Sequence, residues 1–237
     1  MLPVDRTGLI FFGLKVTNIK FEHIPIKECG EPLLDLSTQP FVLEAAYYNQ
    51  GLSDDPKLYA RQQIVEKLIR LQDQMSGYRF KIWDPWRSRA VQGNIYQKFW
   101  TEVATAHPGW DKPTLELEVG KFVTAPYNPN RIPPHATGGA IDLTLVGPDG
   151  KELEMGTKFD HFGPEAASMY FEEPQRDPRI RDNRRMLREA MLSEDFRHDD
   201  EEWWHYDFGN QIWAAALDRP FAIYGEMKSA PLSLIRV

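Results

Sequence analysis

Cysteine is almost absent: the 237-residue chain has one, Cys29. A single thiol closes no internal disulfide, so no disulfide framework braces the fold and nothing marks an oxidising compartment. Nor does any window approach the run of about 20 apolar residues that crosses a bilayer. The opening Met1-Leu2-Pro3-Val4-Asp5-Arg6-Thr7-Gly8-Leu9-Ile10-Phe11-Phe12 has a short apolar run, but no basic start and no small-residue cleavage pattern follows it. It is a poor export signal, so a cytoplasmic location is expected, with a periplasmic one left open. Excess positive charge is lacking too. Lys and Arg number 28 against 35 Asp and Glu, a formal net charge of −7, whereas a nucleic-acid backbone demands a concentrated basic surface. The one arginine-dense stretch, Arg176 to Arg188, is interrupted by Asp177 and Asp182 and reads as a solvated helix face. Repeats and low-complexity tracts are missing as well.

What is present is ordinary globular composition, 42% hydrophobic and 27% charged, enough to bury a sizeable core. One domain over 1–237 is expected, with residues 1–25 as a peripheral extension. Up to residue 53, short apolar runs mixed with Pro25, Pro32 and Pro40 predict irregular structure with one or two strands. Asp55-Pro56 offers a helix start, Ile64, Leu68, Leu71 and Met75 recur at helical spacing, and Gly77 supplies a stop. Tyr78, Phe80 and Ile82 then alternate with Arg79 and Lys81, a strand ending at Trp83-Asp84-Pro85, which leaves Arg87 in the loop beyond it. A helix over 88–106 carries Val91, Ile95, Phe99 and Val103, and proline-rich coil follows through Pro126, Pro129, Pro133 and Pro134. Ala140 to Leu145, the turn Gly147-Pro148-Asp149-Gly150 and Lys151 to Met155 predict a β-hairpin. A helix over 181–192 and strands near 203–208 and 221–224 complete an α+β chain with a central antiparallel sheet flanked by helices.

Chemistry concentrates in two segments, His135-Ala136-Thr137-Gly138-Gly139-Ala140-Ile141-Asp142 and Glu201-Glu202-Trp203-Trp204-His205. His135, Asp142 and His205 make three metal ligands, and a catalytic zinc site uses three, leaving a position for water or substrate. One acid remains to act as base, and both Glu201 and Glu202 are candidates. In an uninterrupted strand the odd separation of His135 and Asp142 would set them on opposite faces, but Gly138-Gly139 permits a bend and Pro133-Pro134 stiffens the approach. Glu202 and His205, three apart, need a helical turn or a bulged strand to face one site. Trp203 and Trp204 would wall it with dry apolar surface. His23, His107, His161 and His198 lack acidic partners at comparable spacing and are assigned to structure.

Four blocks in order resemble the zinc D-alanyl-D-alanine dipeptidases of the vancomycin-resistance type, which share the Hedgehog/DD-peptidase fold. They are Ile82-Trp83-Asp84-Pro85-Trp86-Arg87; His135 through Gly138 and Ala140 to Asp142, continuing Leu143-Thr144-Leu145; Met155-Gly156-Thr157-Lys158-Phe159-Asp160; and Glu202-Trp203-Trp204-His205-Tyr206. The resemblance implies one Zn2+ per chain on His135, Asp142 and His205, and Glu202 rather than Glu201 as general base and acid. It further implies Arg87 beside the oxyanion, Asp160 on the ammonium of a small zwitterionic dipeptide, and a tyrosine, Tyr47 or Tyr48, helping Asp160. Where the family's first zinc motif often has a serine two residues before the histidine, this chain has Pro133. Any contact that serine makes to the substrate carboxylate must come from elsewhere. The implied activity is hydrolysis of D-Ala-D-Ala or a close D,D-dipeptide. The alternatives are a carboxypeptidase or endopeptidase acting on longer peptidoglycan peptides, and a non-catalytic zinc-binding module. Oligomeric state is not legible.

Overall fold

The computed structural model describes residues 21–231 except 121, 122, 127, 129 and 130. The apolar start at Met1 to Phe12 and most of the expected N-terminal extension lie outside the described residues. Of that extension, residues 21–25 are tied to the C-terminal part: Ala222 N donates to Pro25 O, and the Gln211 side chain donates to Ile24 O at 2.7 Å.

The elements run β1 (Leu33–Asp35), β2 (Val42–Leu43), α1 (Ala46–Asn49), β3 (Tyr59–Arg61), α2 (Gln62–Gln74), β4 (Arg79–Asp84), α3 (Arg89–Ala106) and α4 (Lys112–Val119). They continue with β5 (Ala140–Val146), α5 (Pro178–Ser193), β6 (Arg197–His198), β7 (His205–Asp207) and α6 (Gln211–Ala216). The main sheet has the order β2-β4-β5-β7-β6, antiparallel except where β2 runs parallel to β4, and β1 pairs with β3 in a separate ribbon. The expected α+β class with a central antiparallel sheet is what the chain adopts.

One face of the sheet is apolar. Phe80 and Ile82 on β4, Ile141, Leu143 and Leu145 on β5 and Tyr206 on β7 are fully buried and lie opposite one another in register. Ile64, Leu68 and Leu71 of α2 and Leu187 and Met191 of α5 join them in the main core, the amphipathic arrangement their spacing predicts. A second cluster joins Tyr47 to Ile95 and Phe99 of α3 and Val119 of α4.

The other face is polar, and a bulge makes it so. Ile82 pairs with Leu143, but Asp84 pairs with Asp142, so one extra residue lies on β4. Without it Asp84 would share the apolar face of Ile82, because side chains alternate strictly along a strand. With it Asp84, Asp142 and His205 line up across three strands.

Several expectations need correction. The first long helix starts at Gln62 rather than Asp55, because Tyr59–Arg61 pairs with β1 and buries all three side chains. Helix α4 sits where coil was expected; Asp111 caps it by accepting from Thr114 N, with Pro113 in its first turn. The hairpin's second half makes only a bridge, Val146 with Glu152, and 221–224 only a parallel bridge of Ile26 with Ala222. Helix α6 was not anticipated. The Arg176–Arg188 face is not wholly solvated: Arg184 is buried and donates to the carbonyls of Met155, Ala167 and Glu165. All seven residues of β5 are buried.

Candidate active site and metal centre

His135 reaches the polar face from a 3-10 turn, Pro134–Thr137, that ends at Gly138 with φ 70°. That left-handed conformation suits glycine. At Gly139 a Cβ would lie 2.5 Å from Phe208 O, so the glycine pair is required by geometry as well as by the bend. Arg61, fully buried, donates through Nε to Thr137 O at 2.8 Å and through its other nitrogens to Glu28 and to the carbonyls of Glu31 and Gly225. The loop carrying His135 is thereby tied to both ends of the described chain.

His205 opens β7 directly after a turn in which its N–H donates to Glu202 O at 3.2 Å. Glu202 and His205 therefore face one cavity without either a regular helix or a regular strand. Trp203 and Trp204, both buried, pack edge to face. Trp203 is pinned by its indole N–H to Thr157 Oγ1 at 2.7 Å.

Among the described residues, His135, Asp142 and His205 form the group able to hold a metal ion. His135 Nε2 and His205 Nδ1 are 3.2 Å apart, His205 Nδ1 and Asp142 Oδ1 3.0 Å, and His135 Nε2 and Asp142 Oδ2 3.5 Å. The edge of a tetrahedron with bonds of about 2.0–2.1 Å is about 3.3–3.4 Å, close to the separation of the two histidine nitrogens, and each of them lies near one oxygen of the Asp142 carboxylate. The outer ring nitrogens are also held. His135 Nδ1 lies 2.7 Å from Pro85 O and 3.0 Å from Asp84 Oδ2, and His205 Nε2 lies 3.3 Å from Asp207 Oδ1. Such partners fix tautomer and orientation in metal-binding histidines.

Asp207 is itself anchored by Asn210 Nδ2 at 2.6 Å and Arg197 Nη1 at 2.9 Å. Its carboxyl is held down at about 2: burial raises it, but His205, Arg197 and Asn210 outweigh that. Sequence reasoning missed Asp207, Arg197 and Asp84. For Asp207 a signal existed, since two residues beyond His205 on a strand means the same face.

The triad opens into a cavity of about 120 Å³ that is also lined by Glu202, Arg87, Asp160 and Tyr47. Burial pushes the Glu202 carboxyl well above the usual range, with His205 opposing and Asp199 and Asp142 adding to the rise. Arg87 donates through Nη1 to Asp84 and through Nε to Gln92 Oε1 at 2.7 Å; Nη2 takes part in neither bond. Asp160 has φ 59°, a left-handed backbone rare for a non-glycine residue. Burial raises its carboxyl to about 7, and Asp142 contributes. Tyr47 OH donates to Asp160 Oδ1 at 3.2 Å. Tyr48 is 44% exposed and does not line this cavity. Glu201 is exposed, while Pro133 precedes the turn that carries His135.

A His-Asp-His donor set, an enclosed acid and an anchored arginine thus gather on the polar face of an α+β sheet. Comparison with known proteins shows the peptidase family to which this set belongs. A model of the D-ala-D-ala dipeptidase family, Peptidase_M15, matches residues 57–225, and the chain belongs to that family. A D-alanyl-D-alanine dipeptidase of Synechocystis sp. is 28% identical over 220 residues, 81% of this chain and 87% of that protein. One from Escherichia coli K12 is 28% identical over 134 residues, 56% of this chain and 57% of that protein. Among solved structures, a zinc complex of a mutant vancomycin-resistance D,D-pentapeptidase VanY is similar with a TM-score of 0.41 and 16% identity, over 70% of this chain and 80% of that one.

Proposed function

We propose that the protein is a zinc dipeptidase that hydrolyses D-Ala-D-Ala or a closely related D,D-dipeptide. The observation that carries this reading is the Tyr47–Asp160 pair, a buried acid set in the same small cavity as the donor triad. A carboxylate there meets a free ammonium, and an ammonium is what a dipeptide presents one residue from its scissile bond. Relatives named for D-alanyl-D-alanine support the substrate.

His135, Asp142 and His205 would hold the zinc, which would supply Lewis-acid chemistry there, polarising a carbonyl oxygen and lowering the pKa of water toward about 7. Glu202 takes the proton of the attacking water and passes it to the leaving amine. Arg87 holds its guanidinium toward the cavity through Asp84 and Gln92, and its fixed charge stabilises the oxyanion. Tyr47 orients Asp160, and Asp160 holds the substrate ammonium.

The test is a panel of D-Ala-D-Ala, its L-containing isomers and an N-acylated D-Ala-D-Ala peptide, with zinc quantified in each sample. The free D,D-dipeptide should be cleaved best, and Glu202→Ala should abolish cleavage while fold and zinc content persist. Hydrolysis of the acylated peptide as fast as the free one would refute the dipeptidase reading in favour of an enzyme for longer wall peptides.

A further inference from the structure

Two arginines line the catalytic cavity, Arg87 and Arg131, and their surroundings differ. Arg87 is engaged by Asp84 and Gln92. Arg131 has a buried Nε with no hydrogen-bond partner. Its guanidinium lies 4.9 Å from the centre of the Phe21 ring, and burial lowers its pKa, with Glu22 only partly opposing. Its main chain is held by Arg131 N donating to Asn128 O and by Arg89 Nη2 donating to Arg131 O, both at 3.3 Å. A partly desolvated cation with an orphaned donor is costly unless an anion completes it.

Of the other charged groups in the cavity, Arg87 is committed to the oxyanion and the remainder are mostly acids. Asp142, Asp160, Asp199 and Glu202 all line it. Between Arg131 and His135 the chain offers Ile132, Pro133 and Pro134; the two prolines lack an N–H, and none of the three side chains carries a hydroxyl. A zwitterionic substrate whose ammonium meets Asp160 still needs a donor for its other end.

We propose that Arg131 binds the free α-carboxylate of the substrate's C-terminal residue and so restricts the enzyme to peptides whose leaving amino acid is C-terminal. The assignment rests on the dipeptide reading above. A guanidinium fork meets a carboxylate with two parallel hydrogen bonds, which a lysine ammonium cannot reproduce.

Calorimetry on the zinc-loaded Glu202→Ala protein, which does not consume substrate, tests this with D-Ala-D-Ala and its C-terminal amide. The acid should bind about 10- to 100-fold tighter than the amide, the range expected for a hydrogen-bonded charge. Adding Arg131→Gln should bring that ratio near one, and Arg131→Lys should leave it intermediate. An acid that binds no tighter than the amide, or a ratio that survives Arg131→Gln, overturns the proposal. Should Arg131→Gln fail to fold, an undiminished ratio in Arg131→Lys overturns it equally. Because the readout is binding, absence of turnover in the Glu202-containing protein would sink the proposed reaction and leave this assignment standing.

Discussion

The residues that hold His135 and His205 in place matter as much as the histidines themselves. Asp207 accepts from His205 on one side and is fixed by Arg197 and Asn210 on the other, so the ring cannot rotate without breaking a buried hydrogen bond. Replacing Asp207 with Asn keeps the volume and removes the charge. Outer-shell substitutions of this kind cost about 10- to 100-fold in metal affinity, and Asp207→Asn should weaken zinc by that factor in a competition titration against a chromophoric chelator. Unchanged affinity would mean that Asp207 serves only the Arg197 pair. At this scale residue type and spacing marked His135, Asp142 and His205 as the group that comes together in space, and left Glu201 and Glu202 as alternatives for the base. The sequence hid Arg131, Arg197 and Asp84, whose significance is a matter of which side chains lack or share partners in space. The choice between Tyr47 and Tyr48 was also invisible, because adjacent residues differ only in the direction they point.

Elements bring these residues together through two local departures from regularity, the bulge on β4 and the Gly138-Gly139 bend before β5. At Gly139 a methyl group would meet Phe208 O at 2.5 Å and Thr137 Oγ1 at 2.9 Å, and backbone cannot yield as a flexible side chain does. Gly139→Ala should therefore cost about 1–3 kcal/mol, the usual range for overpacking, in urea denaturation and should weaken zinc binding by moving His135. Gly109→Ala, where nothing lies within 4 Å of the added carbon, serves as the control and should be nearly silent. The glycine pair and the helices α3 and α5 were legible because caps, periodicity and turn residues act locally. The bulge and β3 were not: each is decided by a partner strand far along the chain, which turned the expected first turn of α2 into a strand.

Across the whole molecule, burial governs how the fold answers acid. His198 stacks on Tyr206 and lies 3.2 Å from Trp203 O, and burial drives its pKa from 6.5 down to about 3. The unfolded chain therefore binds a proton that the folded one refuses, and this contribution to stability is complete above pH 6.5 and is lost as pH falls toward 3. Each unit in that window costs up to about 1.4 kcal/mol. His198→Asn should flatten the fall of folding free energy between pH 6 and 4.5, above the main carboxylate range; an unchanged slope would show that His198 charges in place. No helix among the described residues is long and apolar enough to cross a membrane, in keeping with the short apolar runs. The sequence by itself determined the α+β class and the sheet's apolar face, and it marked His135, Asp142 and His205 as candidate metal donors, because periodicity, glycine and residue chemistry are properties of short segments. Only the tertiary structure decided that Asp84 joins the polar face, that Tyr47 and not Tyr48 meets Asp160, and that Arg131 stands in the cavity with an unpartnered donor. The physical reason is that register, burial and the pairing of charges depend on residues remote in sequence, and those are set when the chain closes on itself.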